Sequence, residues 1–345
     1  MKTPLISVVT AAYNAGKYIE ECLNSMINQS FQDWECIIVD DASTDNTLSI
    51  IKKFADKDSR FRYDTLPANS GSAKIPRDKA VSYAKAEWIL QIDADDFIES
   101  NVMERLYARA METGADIVFL RVKEFDNENH DKFNLVPDMN FDMQRRLTGD
   151  EAIMLTIPDW KIAGLGLTRK KLWDMRSTVN SGTHHMNVDE FDGREWFFNA
   201  NFIVFEDVIY HYRQHSSSIT KNMSFKQFET LITDKMVENL IHERFGKSSQ
   251  QALIVSKWRM ENIFSLHRCL GSKLSSDERK RAKKLIKENF LTINKNILPR
   301  TGIKRFIFRS YILYDWYSTY SHSGKMKFLR RLKQIIFGSK KLITT

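Results

Sequence analysis

The sequence contains few cysteines and no long apolar segment. Its three cysteines, Cys22, Cys36 and Cys269, are odd in number and lack metal-ligand spacing, so neither a disulfide framework nor a zinc site is indicated. No apolar run approaches the roughly 18–20 residues of a membrane span. The first residues, Met1 to Pro4, lead into a short strand-like segment without the pattern of a signal peptide. We therefore expect a cytoplasmic protein with reduced thiols.

Two common phosphate-binding motifs are also missing. No GxxxxGK[ST] loop occurs anywhere in the chain. Gly164-Leu165-Gly166 begins like the dinucleotide motif GxGxxG, but the third glycine and a preceding strand are absent. These absences argue against a P-loop enzyme and against a dinucleotide-binding one.

Positive charge is concentrated in the last part of the chain. The whole sequence has a formal net charge of +8. Residues 271–345 contain 19 Lys and Arg against four Asp and Glu, whereas the remainder carries a net charge of −7. This asymmetry predicts a separate contact surface at the carboxyl end.

Short apolar segments alternate with helical periodicity over roughly the first hundred residues. The apolar segments, which we interpret as buried strands, are residues 5–10, 36–39, 61–63 and 88–92. The segments between them place apolar side chains at helical spacing, for example Ile19, Leu23 and Met26. Alternation of strand and helix is typical of a parallel sheet covered by helices on both faces. The predicted fold class is therefore α/β.

The strand that begins at Trp88 ends in three carboxylates, Asp93, Asp95 and Asp96. Carboxylates this close repel one another unless a cation lies between them. Oxygen ligands of this kind suit Mg²⁺ or Mn²⁺, and ligands of open α/β sheets collect at the carboxyl ends of strands. The alternative is a polar turn in which Asp96 caps a helix that begins near Ile98.

A second strand, residues 36–39, also ends in paired acids, Asp40 and Asp41. In a parallel sheet both pairs lie at the same edge. A nucleotide across that edge would place its base and ribose near Asp41 and its diphosphate near Asp95.

Three stretches resemble family 2 glycosyltransferases of the GT-A fold, namely ISVVTAAYNAGKYIEECLNSMINQSFQDWECIIVDDASTDNT, NSGSAKIPRDKA and AEWILQIDADDFI. They lie within residues 4–120. A further block, MNVDEFDGREWFFNANFIVFEDVIYHYRQHSSSIT, is similar to the acceptor half of members that build bacterial surface polysaccharides. The resemblance implies a Rossmann-like sheet and inverting transfer of a hexosyl or N-acetylhexosaminyl group. The implied donor is a nucleotide diphosphate-sugar, which we expect to be a UDP-sugar, and the acceptor is a hydroxyl of a saccharide, lipid-linked or polymeric molecule.

The resemblance also implies site residues. Those expected to contact the nucleotide sugar are Ala11, Tyr13, Asp41, Asn69, Gly71, Arg77, Asp93 and Ala94. Those expected to hold Mn²⁺ or Mg²⁺ are Asp95, Asp93, Asp96 and His215. Asp189 occupies the position of the catalytic base. Ala11 stands where many members of the family have proline, in the segment that shapes the nucleobase pocket.

The residue types suit this chemistry. A divalent cation stabilises the charge that develops on a leaving nucleoside diphosphate, and a carboxylate takes the proton of the attacking hydroxyl. Asp189 is predicted to lie in a loop before the helical stretch 195–198. It could instead cap that helix, and the neighbouring Glu190 could be the base.

Histidines and tryptophans leave alternatives open. His211 and His215 are four residues apart, but their strand-like segment favours structural histidines, although His215 could reach the diphosphate. Trp160, Trp173 and Trp196 could stack on sugar rings or pack in the core.

We expect a glycosyltransferase domain over residues 1–220 and a helical, basic region over 221–345. Within the first, residues 1–120 would form the nucleotide-sugar half and 121–220 the acceptor half. Residues 326–337 place apolar side chains on one helical face among cations, which predicts an interfacial helix on the anionic inner face of the cell membrane. The alternative is packing on the same domain or on a dimer partner. No nucleic-acid-binding motif accompanies the basic residues, so no nucleic-acid partner is expected.

Two other functions remain open. A nucleotidyltransferase also uses acids and a metal on an α/β sheet, but would be expected to show a glycine-rich, basic loop after the first strand, where this chain has Ala11-Ala12-Tyr13-Asn14. A catalytically inactive nucleotide-sugar-binding protein is the third possibility. The sequence specifies neither the sugar nor the acceptor.

Overall fold

The chain folds into two compact units, Met1–Lys221 and Asn222–Thr345. The computed structural model describes residues 3–125, 133–134, 142–158, 160–162, 164–178, 186–214, 224–271, 274–294, 297, 310–311 and 314–315.

One sheet runs through the first unit. Within the described residues its strands are β1 Ile6–Ala12, β2 Trp34–Asp40, β3 Phe61–Thr65, β4 Trp88–Gln91, β5 Phe97–Ile98, β6 Ile117–Phe125, β7 Phe133–Asn134, β8 Gly166–Arg169 and β9 Ile203–Arg213. Their order is β3-β2-β1-β4-β8-β6-β9-β5, and β7 pairs with β6.

Helices connect most of these strands. They are α1 Ile19–Ile27, α2 Thr47–Lys57, α3 Lys74–Tyr83, α4 Val102–Thr113, α5 Gly149–Met154, α6 Lys170–Asp174 and α7 Val188–Asn199. The predicted alternation of strand and helix over the first hundred residues is confirmed.

The amino-terminal half of the sheet is parallel. β1 pairs in parallel with both β2 and β4, with Val8 beside Cys36 on one side and beside Leu90 on the other. Strands β1 and β2 are almost wholly buried, because helices cover both faces, which explains their continuous apolar sequences. Since the strands are parallel, their carboxyl ends meet at one edge.

Beyond β4 the sheet becomes mixed. β8 pairs antiparallel with β4 and β6, whereas β6 and β9 are parallel. This arrangement brings the end of β9, far along the sequence, to the residues that follow β4.

Two local expectations are wrong. No helix begins near Ile98, because Phe97–Ile98 pairs with β9 as a short strand and helix α4 begins only at Val102. Asp189 lies in the first turn of a helix rather than in a loop, because α7 already begins at Val188. The first of these boundaries depends on pairing with β9, a distant segment of the chain.

The second unit is helical where it is described. Its helices are α8 Lys226–Phe245, α9 Gln250–Arg268, a 3₁₀ turn Cys269–Gly271 and α10 Ser276–Thr292. They enclose an apolar core that includes Phe228, Ile263 and Phe290. A buried ion pair joins Arg259 of α9 to Glu238 of α8 at 2.6 Å. The predicted amphipathic segment 326–337 lies outside the described residues.

None of the described helices is both long enough and apolar enough to cross a membrane.

Candidate active site

The expected donor-side residues meet at the carboxyl edge of β1, β2 and β4. Tyr13 follows β1 and exposes 48% of its surface, so its ring is open to a stacking partner. Ala11 pairs with Val39 within the sheet. The loops after β1 and β2 are joined because Asn14 accepts a hydrogen bond of 2.8 Å from the Thr44 amide.

Asp41 organises the loop that contains Asn69 and Gly71. Its buried carboxylate accepts hydrogen bonds from the Ser70 amide at 2.8 Å, the Ser70 hydroxyl at 2.9 Å and Asn69 Nδ2 at 3.1 Å. Gly71 has a φ of 75°, which permits the tight turn in which its amide reaches Asn69 Oδ1. Three predicted residues are therefore brought together, and sequence reasoning missed Ser70.

Arg77 lies on α3 and reaches residues Asp93–Asp96 after β4, a segment that we call the acid turn. Its Nη2 donates to Asp93 Oδ1 at 3.1 Å. Burial lowers the pKa of this guanidinium, but the negative charges of Asp93 and then Asp189 outweigh burial and raise the pKa above its usual value. Within the described part of the chain, the buried Nε of Arg77 meets no acceptor.

The three carboxylates after β4 have different surroundings. Asp93 and Asp95 are partly exposed, with the buried Ala94 between them, whereas Asp96 is 1% exposed. Asp96 accepts hydrogen bonds from the Tyr210 hydroxyl at 2.6 Å and from the Arg213 amide at 2.8 Å. Burial, followed by the charges of Asp93 and Asp95, raises its pKa well above the usual value.

The carboxylates of the acid turn are the oxygen donors available here for a divalent cation. Among the described residues no group of three or more acidic, histidine or cysteine side chains converges on one point. Mg²⁺ needs only one or two protein carboxylates when substrate phosphates and water complete its shell. Asp93 and Asp95, which are partly exposed and separated by Ala94, supply that donor set, so these residues fit a divalent cation. Asp96 as a further ligand stays a prediction, and His215 lies outside the described residues.

Asp189 faces the same pocket as Arg77. The pocket has an empty volume of about 200 Å³, and Gln91 and Trp196 are also among its lining residues. Asn187, not Asp189, is the N-cap of α7, although Asp189 Oδ1 accepts the Glu190 amide at 3.1 Å. Asp189 therefore satisfies one amide of the first turn and also lines the pocket.

Glu190 points to other partners. Trp160 Nε1 donates to its carboxylate at 3.0 Å, and Arg194 Nη1 lies 3.5 Å from it. Burial raises the pKa of Glu190, as does the charge of Asp189, while Arg194 and Trp160 oppose the rise. Unlike Asp189, Glu190 is not among the residues that line the pocket.

A cluster of four charged side chains, which we call the base clamp, lies beside Asp189. Asp192 of α7 accepts from Lys74 at 3.1 Å and from Arg176 at 2.5 Å. Lys74 and Arg176 also bind Asp78, at 2.6 and 2.8 Å. The base clamp joins α3, which carries Arg77, to α7, which carries Asp189. Sequence reasoning missed it because its members are up to 118 positions apart.

The remaining aromatic candidates contribute to packing. Trp173 and Trp196 are almost completely buried, with ring centroids 4.4 Å apart. His211 stacks on Phe97 at 4.4 Å within the sheet. Trp173 and Trp196 also line the pocket, so both residues pack in the core and form part of the pocket wall.

The sequence is similar to that of known glycosyltransferases. The family model described as Glycosyl transferase family 2 matches residues 7–161. Glycosyltransferase GlyG of Streptococcus pneumoniae serotype 4 is 32% identical over 222 residues, which cover 63% of this chain and 73% of GlyG. Poly(ribitol-phosphate) beta-N-acetylglucosaminyltransferase TarS of Staphylococcus aureus is 36% identical over 119 residues, which cover 34% of this chain and 21% of TarS.

Solved structures are similar over more of the chain. S. aureus TarS 1-349 in complex with UDP-GlcNAc has a TM-score of 0.64 and 20% identity over 85% of this chain and 82% of that chain. Mannosyltransferase PcManGT from Pyrobaculum calidifontis, in complex with GDP-Man and Mn²⁺, has a TM-score of 0.51 and 14% identity over 93% of this chain and 89% of that chain. At these identities the likeness shows the fold, which is the predicted GT-A fold.

The base clamp generates a stability prediction. Asp192→Asn should lower the free energy of unfolding by about 3–5 kcal/mol, because it leaves the buried Lys74 and Arg176 with Asp78 as the one anion of the cluster. Asp174→Asn is the matched control, since it breaks an exposed ion pair with Lys170 and should cost at most about 0.5 kcal/mol. Urea denaturation of both variants measures the difference, and equal values would contradict a structural importance of the base clamp.

Proposed function

Because this chain belongs to glycosyl transferase family 2, we propose that it transfers a sugar from a UDP-sugar to an acceptor hydroxyl during synthesis of a bacterial surface polysaccharide. The observation that carries this proposal is the position of Arg77, buried between Asp93 on the donor side and Asp189 on α7. Membership of the family makes the chain a glycosyltransferase and argues against the nucleotidyltransferase alternative.

The donor would lie along the carboxyl edge of the sheet. The exposed ring of Tyr13, together with Ala11 and the loop held by Asp41, would border the base and ribose. Arg77, Asp93 and the backbone at Ala94 would lie near the phosphates. TarS was solved with UDP-GlcNAc, which supports a UDP-sugar as the donor class.

Asp95 and Asp93 would hold Mn²⁺ or Mg²⁺. A bound divalent cation stabilises the negative charge of the leaving nucleoside diphosphate. Arg77 of α3 donates a hydrogen bond to Asp93 and so restrains one of these two carboxylates. The guanidinium also adds positive charge on the diphosphate side of the pocket.

Asp189 would take the proton from the acceptor hydroxyl as that oxygen attacks the anomeric carbon from the face opposite the leaving group. A single displacement of this kind inverts the anomeric configuration. The contacts of Glu190 with Trp160 and Arg194 support Asp189 rather than Glu190 as the base.

The acceptor would be a saccharide, lipid-linked or polymeric molecule at the inner face of the cell membrane. The name of TarS includes a poly(ribitol-phosphate) acceptor, which supports a polymeric one here. The basic carboxyl region would hold the enzyme near this surface. In the described part of that region, α10 presents exposed Lys280, Lys283 and Lys284 to solvent.

The metal proposal predicts that Asp95→Asn abolishes metal-dependent turnover of the donor, because an amide oxygen is a weaker ligand than a carboxylate. The melting temperature should stay near that of wild type. The assay screens a panel of nucleotide sugars for hydrolysis and transfer with Mn²⁺, Mg²⁺ or excess chelator. Full activity of the variant, or of wild type in chelator, would refute the metal site.

The proposal for the base predicts that Asp189→Asn lowers the transfer rate by roughly 10²–10⁴-fold with little change in donor affinity. Asparagine can still accept the Glu190 amide, so the first turn of α7 is preserved while proton acceptance is lost. Glu190→Gln is the matched neighbouring variant and should retain most activity. The reverse pattern would move the base to Glu190.

The membrane proposal predicts salt-dependent sedimentation of the full-length protein with anionic liposomes. Each cation near such a surface contributes about 1 kcal/mol, so Arg330→Gln, Arg331→Gln and Lys333→Gln together should weaken binding roughly a hundredfold. Lys52→Gln, Lys53→Gln and Lys57→Gln, at exposed positions on α2 of the first unit, form the matched control and should leave binding unchanged. If these α2 changes weaken binding as much, residues 326–337 are not the main anchor.

A further inference from the structure

The acid turn Asp93–Asp96 is held from β9, the last strand of the first unit in sequence. The Tyr210 hydroxyl accepts the Asp93 amide at 3.1 Å and donates to Asp96 at 2.6 Å. One buried hydroxyl therefore links the first and the last residue of the turn.

Arg213, three positions further along β9, makes the second connection. Its amide donates to Asp96 Oδ1 and its Nε donates to the Asp95 carbonyl, both at 2.8 Å. Its Nη2 binds Glu21 of α1 at 2.6 Å. The guanidinium is 3% exposed and lies within 5.4 Å of the ring centres of Tyr18, Phe97 and Phe125. Its position is fixed on several sides.

The segment after the turn is fixed as well. Phe97 and Ile98 pair with His211 and Tyr210 of β9. On the other side of the turn, the Cys22 thiol lies 3.5 Å from the Asp93 carbonyl, which it can donate to. The backbone of the turn thus has contacts that constrain it from α1, β5 and β9.

We propose that Tyr210 and Arg213 are positioning residues that hold the Asp93 and Asp95 carboxylates ready for the divalent cation, with Asp96 as their anchor. This inference rests on the proposed function, because it requires a cation at Asp93 and Asp95. Both oxygens of Asp96 already accept hydrogen bonds within the protein, which favours an anchoring function over direct ligation.

The physical reason lies in the repulsion between the carboxylates. Without a cation, Asp93 and Asp95 separate unless the backbone between them is restrained. Tyr210 and Arg213 restrain that backbone through hydrogen bonds with the Asp93 amide and the Asp95 carbonyl. Partners of this kind, one step away from the metal, determine how tightly it binds.

The test measures Mn²⁺ affinity of the full-length protein in saturating UDP by electron paramagnetic resonance, independently of turnover. Tyr210→Phe and Arg213→Lys should each weaken Mn²⁺ binding by about 10–100-fold. Lysine keeps the charge of Arg213 but cannot bind the Asp95 carbonyl and Glu21 with the same fixed geometry. Tyr83→Phe is the matched control, since it removes a 2.8 Å hydrogen bond from a tyrosine to Asp64 away from the acid turn, and it should leave Mn²⁺ affinity unchanged.

The melting temperature separates positioning from general stability. Variants that melt at a lower temperature yet bind Mn²⁺ as wild type does at 25 °C would overturn the inference. Absence of Mn²⁺ binding by wild type with UDP would instead refute the proposed metal site, and the inference with it. Normal wild-type binding with equal affinity in all variants would overturn the inference alone.

Discussion

Repulsion among carboxylates at one edge of the sheet is the constraint to which the surrounding structure responds. Three acids lie within four positions after β4, and Arg77, which lines one pocket with Asp189, donates a hydrogen bond to Asp93. Acids this close would bind protons or separate if nothing opposed their mutual repulsion. Hydrogen bonds within the protein oppose this repulsion, since Arg77 donates to Asp93, and the Tyr210 hydroxyl and the Arg213 amide donate to Asp96.

The same principle explains how the two sides of the pocket are joined. In the base clamp the buried Lys74, Arg176 and Asp192 are joined by the partly exposed Asp78, so that two cations are balanced by two anions. Removing one member of such a cluster is costly, because the others stay buried. The base clamp therefore fixes α7 relative to α3, and Asp189 relative to Arg77, with hydrogen bonds in defined directions.

The second unit uses a similar solution inside a helical core. Glu238 binds Arg259, Lys235 and the Ser256 hydroxyl, while Arg259 also donates to Asn289 of α10. Burial acts to raise the pKa of Glu238, but the charge of Arg259 and the hydrogen bonds outweigh it and lower the pKa. The carboxylate thus stays ionised, and the Glu238–Arg259 pair connects α8, α9 and α10. Lys280, Lys283 and Lys284 of α10 are exposed to solvent.

The sequence alone determined the parallel half of the sheet and the edge where the candidate site lies. Apolar strands and helical periodicity are local patterns, and parallel strands must bring Asp41, Asp93 and Asp95 to one edge. The family motifs added Arg77 and Asp189, which the structure brings to one pocket. Only the tertiary structure decided that Phe97–Ile98 forms a strand, that α7 begins before Asp189 and that Asp96 is buried against Tyr210. Each of these depends on residues more than a hundred positions away or on the packing of a whole helix, and no local pattern in the sequence specifies such partners.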